Sequence, residues 1–322
     1  MRAEALTIGT RGSDLALTQT SEVARRIQTH HPGIRVDLRV IRTTGDRELG
    51  ARLARIGGKG LFTKELEDAL LRQEVDLAVH SLKDLPTRMP EGLALAAVVE
   101  REDPRDALVA APGITLRQLP AGARIGTSSL RRRAQLLARY PNVAVLDVRG
   151  NVPTRLARLD RGDFDALVLA RAGLARLGLL DRVAEVLDAD EMVPAVGQGA
   201  LAVQARAGDA RVLDALSALD HEPTRLATAA ERALLARLEG GCQVPIGALG
   251  TWRDGSLRLD AVVADLDGST IVRGQEASRV RTESDACSLG ARLAERLLDQ
   301  GAAGILERVR AAGGEVSRGG VP

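Results

Sequence analysis

The stretch Asp76-Leu77-Ala78-Val79-His80-Ser81-Leu82-Lys83-Asp84-Leu85-Pro86 runs from an apolar strand into a dense polar cluster. Such clusters belong at strand C-terminal ends, where open α/β sheets bind ligands. In a water-poor setting Asp84 can exchange protons with a substrate while Lys83 anchors an acidic group. The same pair is also what a plain surface ion pair looks like, and His80 alone reads as a structural histidine before it reads as a base. A second candidate is Cys242, in the loop Leu238-Glu239-Gly240-Gly241-Cys242-Gln243-Val244-Pro245, because a reactive thiolate needs access and nearby positive charge. A lone cysteine without an identified base is weak evidence for nucleophilic catalysis. Cys287 falls in an Ala/Leu helical pattern and is expected to be inert packing.

Arg131-Arg132-Arg133 falls in the first turn of an expected helix, where the helix dipole disfavours cations by about 0.3–1 kcal/mol each. Ser128 and Ser129 can cap that helix, so the simplest compensation is a bound polyanion held by guanidinium forks and the helix end together; a solvated basic turn is the plainer reading. Arg11 stands at the corresponding place earlier in the chain. Arg149, Arg155 and Arg176 can line the same cleft, though singly each reads as surface charge. Arginine supplies 42 of the 45 basic residues, the only lysines being Lys59, Lys64 and Lys83. Lysine is a compact charge whose proton affinity burial can tune, whereas arginine is a permanent planar fork.

The elements that must position these groups follow from periodicity. Strands are expected at Ala5–Thr10, Arg35–Ile41, Asp76–His80, Leu93–Val99, Arg124–Thr127, Val143–Val148, Asp165–Ala170 and Ala200–Ala205. Helices are expected at about Leu15–Thr29, Thr63–Gln73, Leu130–Arg139, Val152–Asp160 and Ala210–Leu219. This alternation predicts an α/β architecture with largely parallel sheets. One pattern occurs twice: Ile8-Gly9-Thr10-Arg11-Gly12-Ser13 followed by Val75-Asp76-Leu77-Ala78-Val79, then Ile125-Gly126-Thr127-Ser128-Ser129 followed by Phe164-Asp165-Ala166-Leu167-Val168. Two similar lobes are expected, residues 1–99 with 200–220 and residues 105–193, crossing near 100–106 and 193–199. Each repeat offers a helix N-terminus to an anion. From residue 222 a long helix, three strands around Ile246–Leu249, Leu257–Ala264 and Thr270–Gln275, and a helix about Ser284–Arg310 indicate a small α+β domain over 222–312, with a loose tail from 313 to 322.

Composition narrows the function. With 45 basic against 43 acidic residues the net charge is +2, which argues against general nucleic-acid binding. Four aromatics, Phe62, Tyr140, Phe164 and Trp252, leave no base-stacking platform. No apolar run approaches the roughly 18 residues of a membrane span, and no secretory signal is legible, so a cytoplasmic protein free of membrane is expected. Two cysteines make no disulfide framework, and no Cys or His cluster has metal-ligand spacing.

At these residues the sequence resembles the porphobilinogen deaminase (hydroxymethylbilane synthase) family from about Leu6 to Arg310. The resemblance rests on Ile8-Gly9-Thr10-Arg11, Gly57-Gly58-Lys59-Gly60-Leu61-Phe62, Val79-His80-Ser81-Leu82-Lys83-Asp84, Arg101-Glu102-Asp103-Pro104-Arg105-Asp106, Gly126-Thr127-Ser128-Ser129-Leu130-Arg131-Arg132, Arg149-Gly150-Asn151-Val152, Ala195-Val196-Gly197-Gln198-Gly199 and Glu239-Gly240-Gly241-Cys242. It implies two lobes like those of periplasmic binding proteins plus the small C-terminal domain, and condensation of four porphobilinogen molecules with loss of ammonia to give hydroxymethylbilane. It also implies that Cys242 carries a dipyrromethane cofactor through a stable thioether, which accounts for a thiol without a base. Asp84 is implied to be the acid/base that protonates the departing amine and stabilises the resulting azafulvene cation. Arg11, Lys83, Arg131, Arg132, Arg149, Arg155 and Arg176 are implied to bind acetate and propionate groups, with Ser13, Ser81, Thr127, Ser129 and Gln198 lining the cleft. Asp46 is implied to lie near the cofactor, and Lys59 and Phe62 on a mobile loop. Gly12, Asp14 and Thr43-Thr44-Gly45 depart from the commoner family pattern. The resemblance implies a monomer. The competing reading is a bilobed module that binds or senses small anions without chemistry.

Overall fold

A computed structural model describes residues 5–44, 63–238 and 244–318. Strands β1 (Ala5–Thr10), β2 (Arg35–Val40), β3 (Leu77–Ser81), β4 (Leu93–Val98) and β10 (Leu201–Arg206) form one sheet, in the order β2-β1-β3-β10-β4. β1 is parallel to β2 and β3, whereas β10 is antiparallel to β3 and β4. Helices α1 (Asp14–His30), α2 (Lys64–Leu71) and α6 (Ala210–Ser217) cover it. Leu6, Ile8, Val23, Ile27, Val203 and Val212 pack in one core, while Leu66, Leu70, Val75 and Ala78 pack in another. Burial of both faces is why the central strands β3 and β10 read as nearly continuous apolar runs, whereas the edge strand β2 alternates and is mostly exposed.

The second sheet repeats the plan. β5 (Asp106–Val109), β6 (Arg124–Gly126), β7 (Ala144–Leu146), β8 (Ala166–Ala170) and β9 (Glu185–Val186) lie in the order β7-β6-β8-β5-β9. β6 is parallel to β7 and β8, and β5 is antiparallel to β8 and β9. Helices α3 (Leu130–Arg139), α4 (Val152–Asp160) and α5 (Arg171–Arg176) accompany it. The expectation of largely parallel sheets is thus corrected, since each sheet has two parallel and two antiparallel pairings. The odd strand, β10 or β5, is the first strand after the chain has crossed over, so no helical crossover constrains it to run parallel to its neighbours. β5, β9 and α5 were not among the expected elements.

The third sheet is an antiparallel meander of β11 (Ile246–Arg253), β12 (Ser256–Ala264) and β13 (Ile271–Ser278). β11 and β12 are joined through Asp254-Gly255, both with positive φ (48° and 73°), the Asp-Gly chemistry of a tight hairpin. Helices α7 (Glu222–Arg237) and α8 (Glu283–Leu297) build its core with Leu234, Leu289, Leu293 and Leu297. Gly290 lets these two helices approach closely, because a Cβ there would stand 2.1 Å from the Ala230 carbonyl oxygen. The single helix expected over Ser284–Arg310 is interrupted at Leu298–Ala302, where Gly301 has φ 104°, and continues as α9 (Ala303–Arg318). The tail expected to be loose from residue 313 is therefore helical through Arg318; residues 319–322 lie outside the described residues.

Among the described residues, one compact unit takes in 5–44, 63–102 and 199–225, and the other takes in 103–198, 226–238 and 244–318. The chain passes from one unit to the other at 102/103, 198/199 and 225/226. The first follows β4 and the second precedes β10. The third lies within α7, and the C-terminal sheet clusters with the second lobe. No described helix is long and apolar enough to cross a membrane.

Candidate active site

In the first unit, Thr10 ends β1 and Ser13 caps α1, its hydroxyl accepting from the Ala16 N–H at 3.4 Å. Arg11 lies between them, half-buried. Ser81 closes β3, and the Gln19 amide donates to its hydroxyl at 2.9 Å. The next three residues, Leu82–Asp84, make one tight helical turn. Leu82 anchors it, 1% exposed and donating its N–H to the Ala200 carbonyl at 3.0 Å. Leu85 returns to extended backbone, as the residue before Pro86 prefers. Lys83 is thus held half-buried and Asp84 exposed, on a turn whose apolar neighbours fix the backbone.

In the second unit, Ser129 caps α3 by accepting from the Arg132 N–H at 3.4 Å, and the Thr127 hydroxyl accepts from the Ser129 N–H at 3.2 Å. Arg131 and Arg132 follow, only 4% and 6% exposed. Both converge on Asp106, itself fully buried. Arg131 donates to its Oδ2 at 2.8 Å, and Arg132 to its Oδ1 through Nη2 at 2.8 Å and Nε at 3.1 Å. Gln198 adds a third donor to that carboxylate at 2.8 Å. Burial alone would raise the Asp106 carboxyl, but the two guanidiniums overcome it and hold it well below the usual carboxylate range. The charges expected to be met by a bound polyanion are therefore met first by an internal carboxylate. That compensation is partial: two cations share one anion, and among the described residues the buried Arg131 Nε has no hydrogen-bond partner.

A second cationic station lies at the end of β7. The Ser128 hydroxyl donates to the Val148 carbonyl at 2.7 Å and accepts from its N–H at 3.1 Å, holding the turn that presents Arg149. Gly150 continues that turn at φ 105°, where a Cβ would lie 2.6 Å from Thr154. Arg155 folds back to donate to the Gly150 carbonyl at 2.8 Å. Asn151 caps α4 through the Thr154 N–H at 2.9 Å, and Arg176 closes α5 on the same lobe. The structure thus gathers Arg131, Arg132 and Gln198 around Asp106 and, separately, Arg149 and Arg155 around Gly150.

Asp46, Lys59, Phe62 and Cys242 lie outside the described residues. Cys287 is partly buried against the C-terminal core, and burial, reinforced by Glu283, pushes its thiol up. Sequence reasoning assigned no role to Asp106, Gln19, Asn151 or the Ser128 brace. The signal for Asp106 was present: Asp106-Ala107-Leu108-Val109 reads the same as Asp165-Ala166-Leu167-Val168, one of the repeated strand motifs.

Comparison with known proteins gives these stations a family. The family described as "Porphobilinogen deaminase, dipyromethane cofactor binding domain" matches residues 6–214, and "Porphobilinogen deaminase, C-terminal domain" matches 225–299. The porphobilinogen deaminase of Desulforudis audaxviator is 57% identical over 312 residues, covering 97% of this chain and 99% of that one. That of Pelobacter propionicus is 51% identical, covering 94% and 97%. Among solved structures, the methionine binding protein MetQ aligns with TM-score 0.43 at 13% identity, covering 67% of this chain and 89% of that one. A TRAP periplasmic solute binding protein from Desulfovibrio salexigens aligns with TM-score 0.41 at 11% identity, covering 69% and 74%. Matched in both of the family's domains and to relatives over nearly its whole length, the chain belongs to the porphobilinogen deaminase family.

Proposed function

We infer that this chain is a hydroxymethylbilane synthase, a transferase that condenses four porphobilinogen molecules head to tail on a covalently bound dipyrromethane primer. It loses ammonia at each addition and then releases hydroxymethylbilane for tetrapyrrole biosynthesis. Family membership over nearly all of the chain carries this reading. The bilobed binding-module alternative is set aside because the match extends through residues 225–299, a domain that a simple two-lobed binder has no use for.

The donor set around α3 fits a group that bears carboxylates. Two buried guanidiniums face one carboxylate, an Nε is left without a partner, and the helix N-terminus adds its own partial positive charge. In this reading Ser129, Arg131 and Arg132, with Lys83 and Asp46, hold the dipyrromethane, and Cys242 attaches it from the domain spanning 222–312. When bound, the dipyrromethane supplies the pyrrole carbon to which substrate is joined. Asp84 gives a proton to the departing amine and takes up the one released after bond formation. Its place on a rigid turn, beside a lysine that can anchor an acid group, suits both tasks. Arg11, Arg149, Arg155 and Arg176 neutralise the acetate and propionate groups that accumulate with each unit, and Ser13, Ser81, Thr127 and Gln198 hydrogen-bond to them. Lys59 and Phe62, which lie outside the described residues, match the family's active-site loop. The enzyme acts in the cytoplasm as a monomer.

Intact-protein mass spectrometry tests the reading. Material from a host that makes porphobilinogen is expected to carry an adduct the size of two linked pyrroles, absent from Cys242→Ser. An unmodified mass in catalytically active protein would refute it.

A further inference from the structure

Beneath the Ser81–Asp84 turn lies a group of buried polar side chains that the reaction as described leaves unused. Glu67 on α2 is 8% exposed, His80 on β3 is 6% and Gln204 on β10 is 0%. β3 and β10 are antiparallel, with His80 opposite Ala202, so Gln204 is the diagonal neighbour of His80 on the same face of the sheet. The Gln204 Nε2 donates to Glu67 Oε1 at 3.3 Å and approaches the Met89 sulfur at 3.5 Å, both of them acceptors. Turned the other way, the amide would aim its oxygen at a carboxylate and a thioether, neither of which has a proton to give. Its Oε1 is therefore committed to the opposite side, towards His80. Gln204 Oε1 and His80 Nε2 are both buried, and among the described residues neither has a hydrogen-bond partner. Each supplies what the other lacks, provided that the proton sits on Nε2.

We propose that Glu67 and Gln204 form a buried relay that holds His80 as a neutral imidazole protonated on Nε2, and that His80 is thereby a positioning residue for the turn carrying Lys83 and Asp84. The charged groups facing this imidazole are Arg11, from the loop after β1, and Glu67, which acts through Gln204. Burial first, and then the charge of Arg11, lower its proton affinity to a pKa of about 4, against the opposing effect of the Gln204 contact. A ring that stays uncharged adds no second cation beside Arg11 and does not change its hydrogen bonding across the working pH range. The strand end at Ser81 is then clamped on one side by Gln19 and on the other by a side chain of fixed orientation.

The kinetic part of this inference rests on the acid/base role of Asp84, whereas the spectroscopic part does not. The chain has four histidines, and replacing His30, His31 and His221 by Gln leaves His80 as the only imidazole in the full-length enzyme. Long-range proton–nitrogen correlation spectra of that protein are expected to show a neutral ring with the proton on Nε2 from pH 5.5 to 8.5. Glu67→Gln, which removes the charge but little volume, lets the Gln204 amide point either way. It is expected to bring in the Nδ1-protonated form and to lower kcat about tenfold at unchanged KM, a loss typical of a slightly misplaced catalytic group. A His80 ring that titrates within that range, an Nδ1-protonated ring in the parent protein, or Glu67→Gln with the parent's tautomer would overturn the relay. A shifted tautomer with unchanged kcat would overturn the positioning role, whatever Asp84→Asn does to turnover.

Discussion

Replacing Asp106 by Asn keeps the shape of the side chain but removes the one carboxylate on which Arg131 and Arg132 converge. In the native protein that carboxylate accepts from Arg131 Nη1, from Arg132 Nε and Nη2, and from Gln198, all at 2.8–3.1 Å. Asn offers one acceptor oxygen and turns an NH2 group towards guanidiniums that have only donors. Two buried cations are then left unpaired, and breaking a buried ion pair from one side costs about 3–5 kcal/mol. At about 2–4 °C per kcal/mol for domains of this size, the midpoint of thermal unfolding should fall by about 10 °C. The exposed pair Arg124–Asp165, whose side chains are 44% and 41% exposed, provides the contrast. Asp165→Asn should cost no more than about 1 kcal/mol. The sign with pH follows from the direction of the Asp106 shift. A carboxyl held low in the folded state contributes fully above its unfolded value of about 4 and loses that contribution as pH falls through the folded value. Calorimetry should therefore show a constant gap between parent and Asp106→Asn from pH 8 down to 5, narrowing only below about 4. A decrease of less than 2 °C at pH 7, or a gap that widens in acid, would refute the reasoning.

Two further outcomes are expected. Asp84→Asn should lower turnover by about a hundredfold or more while leaving thermal stability within about 1 °C, since Asp84 is exposed on its turn and supports no packing; retained turnover in a steady-state assay of porphobilinogen consumption would remove its acid/base role. Gly126→Ala should destabilise by about 1–3 kcal/mol in urea unfolding, because its Cβ would lie 2.5 Å from Leu167 and 3.0 Å from Phe164, while an unchanged urea midpoint would mean that the β6–β8 interface can yield.

Elements whose boundaries coincide with local chemistry were legible in the sequence. α3 runs from Leu130 to Arg139 as expected because Ser129 supplies its cap, and α4 starts at Val152 because Asn151 does the same. The recurring Gly-Thr followed by Ser or Arg showed that two lobes share a plan. What escaped was set by pairing over long sequence distances. β5 is four residues long and gets its meaning from lying against β8 and β9, a relation that no local periodicity encodes. The same non-locality hid Asp106, whose partners Arg131, Arg132 and Gln198 are 25, 26 and 92 residues away. The basic turn was recognised as needing an anion, but a first-turn argument has no means of knowing that another strand brings one. His80 was read as structural, and only the placement of Gln204 and Glu67 around it gives that reading a chemical content.

The interleaving of the two α/β sheets governs the order in which the molecule can be made. β4, completed at Val98, lies at the edge of its sheet and touches it only through β10, which is not synthesised until Leu201–Arg206. A chain emerging from the ribosome must therefore keep an apolar strand without its neighbour while about a hundred more residues are translated. Everything between those strands, including the whole second sheet, can assemble first. The N-terminal lobe is thus the later of the two to close, and a fragment ending before β10 leaves it open.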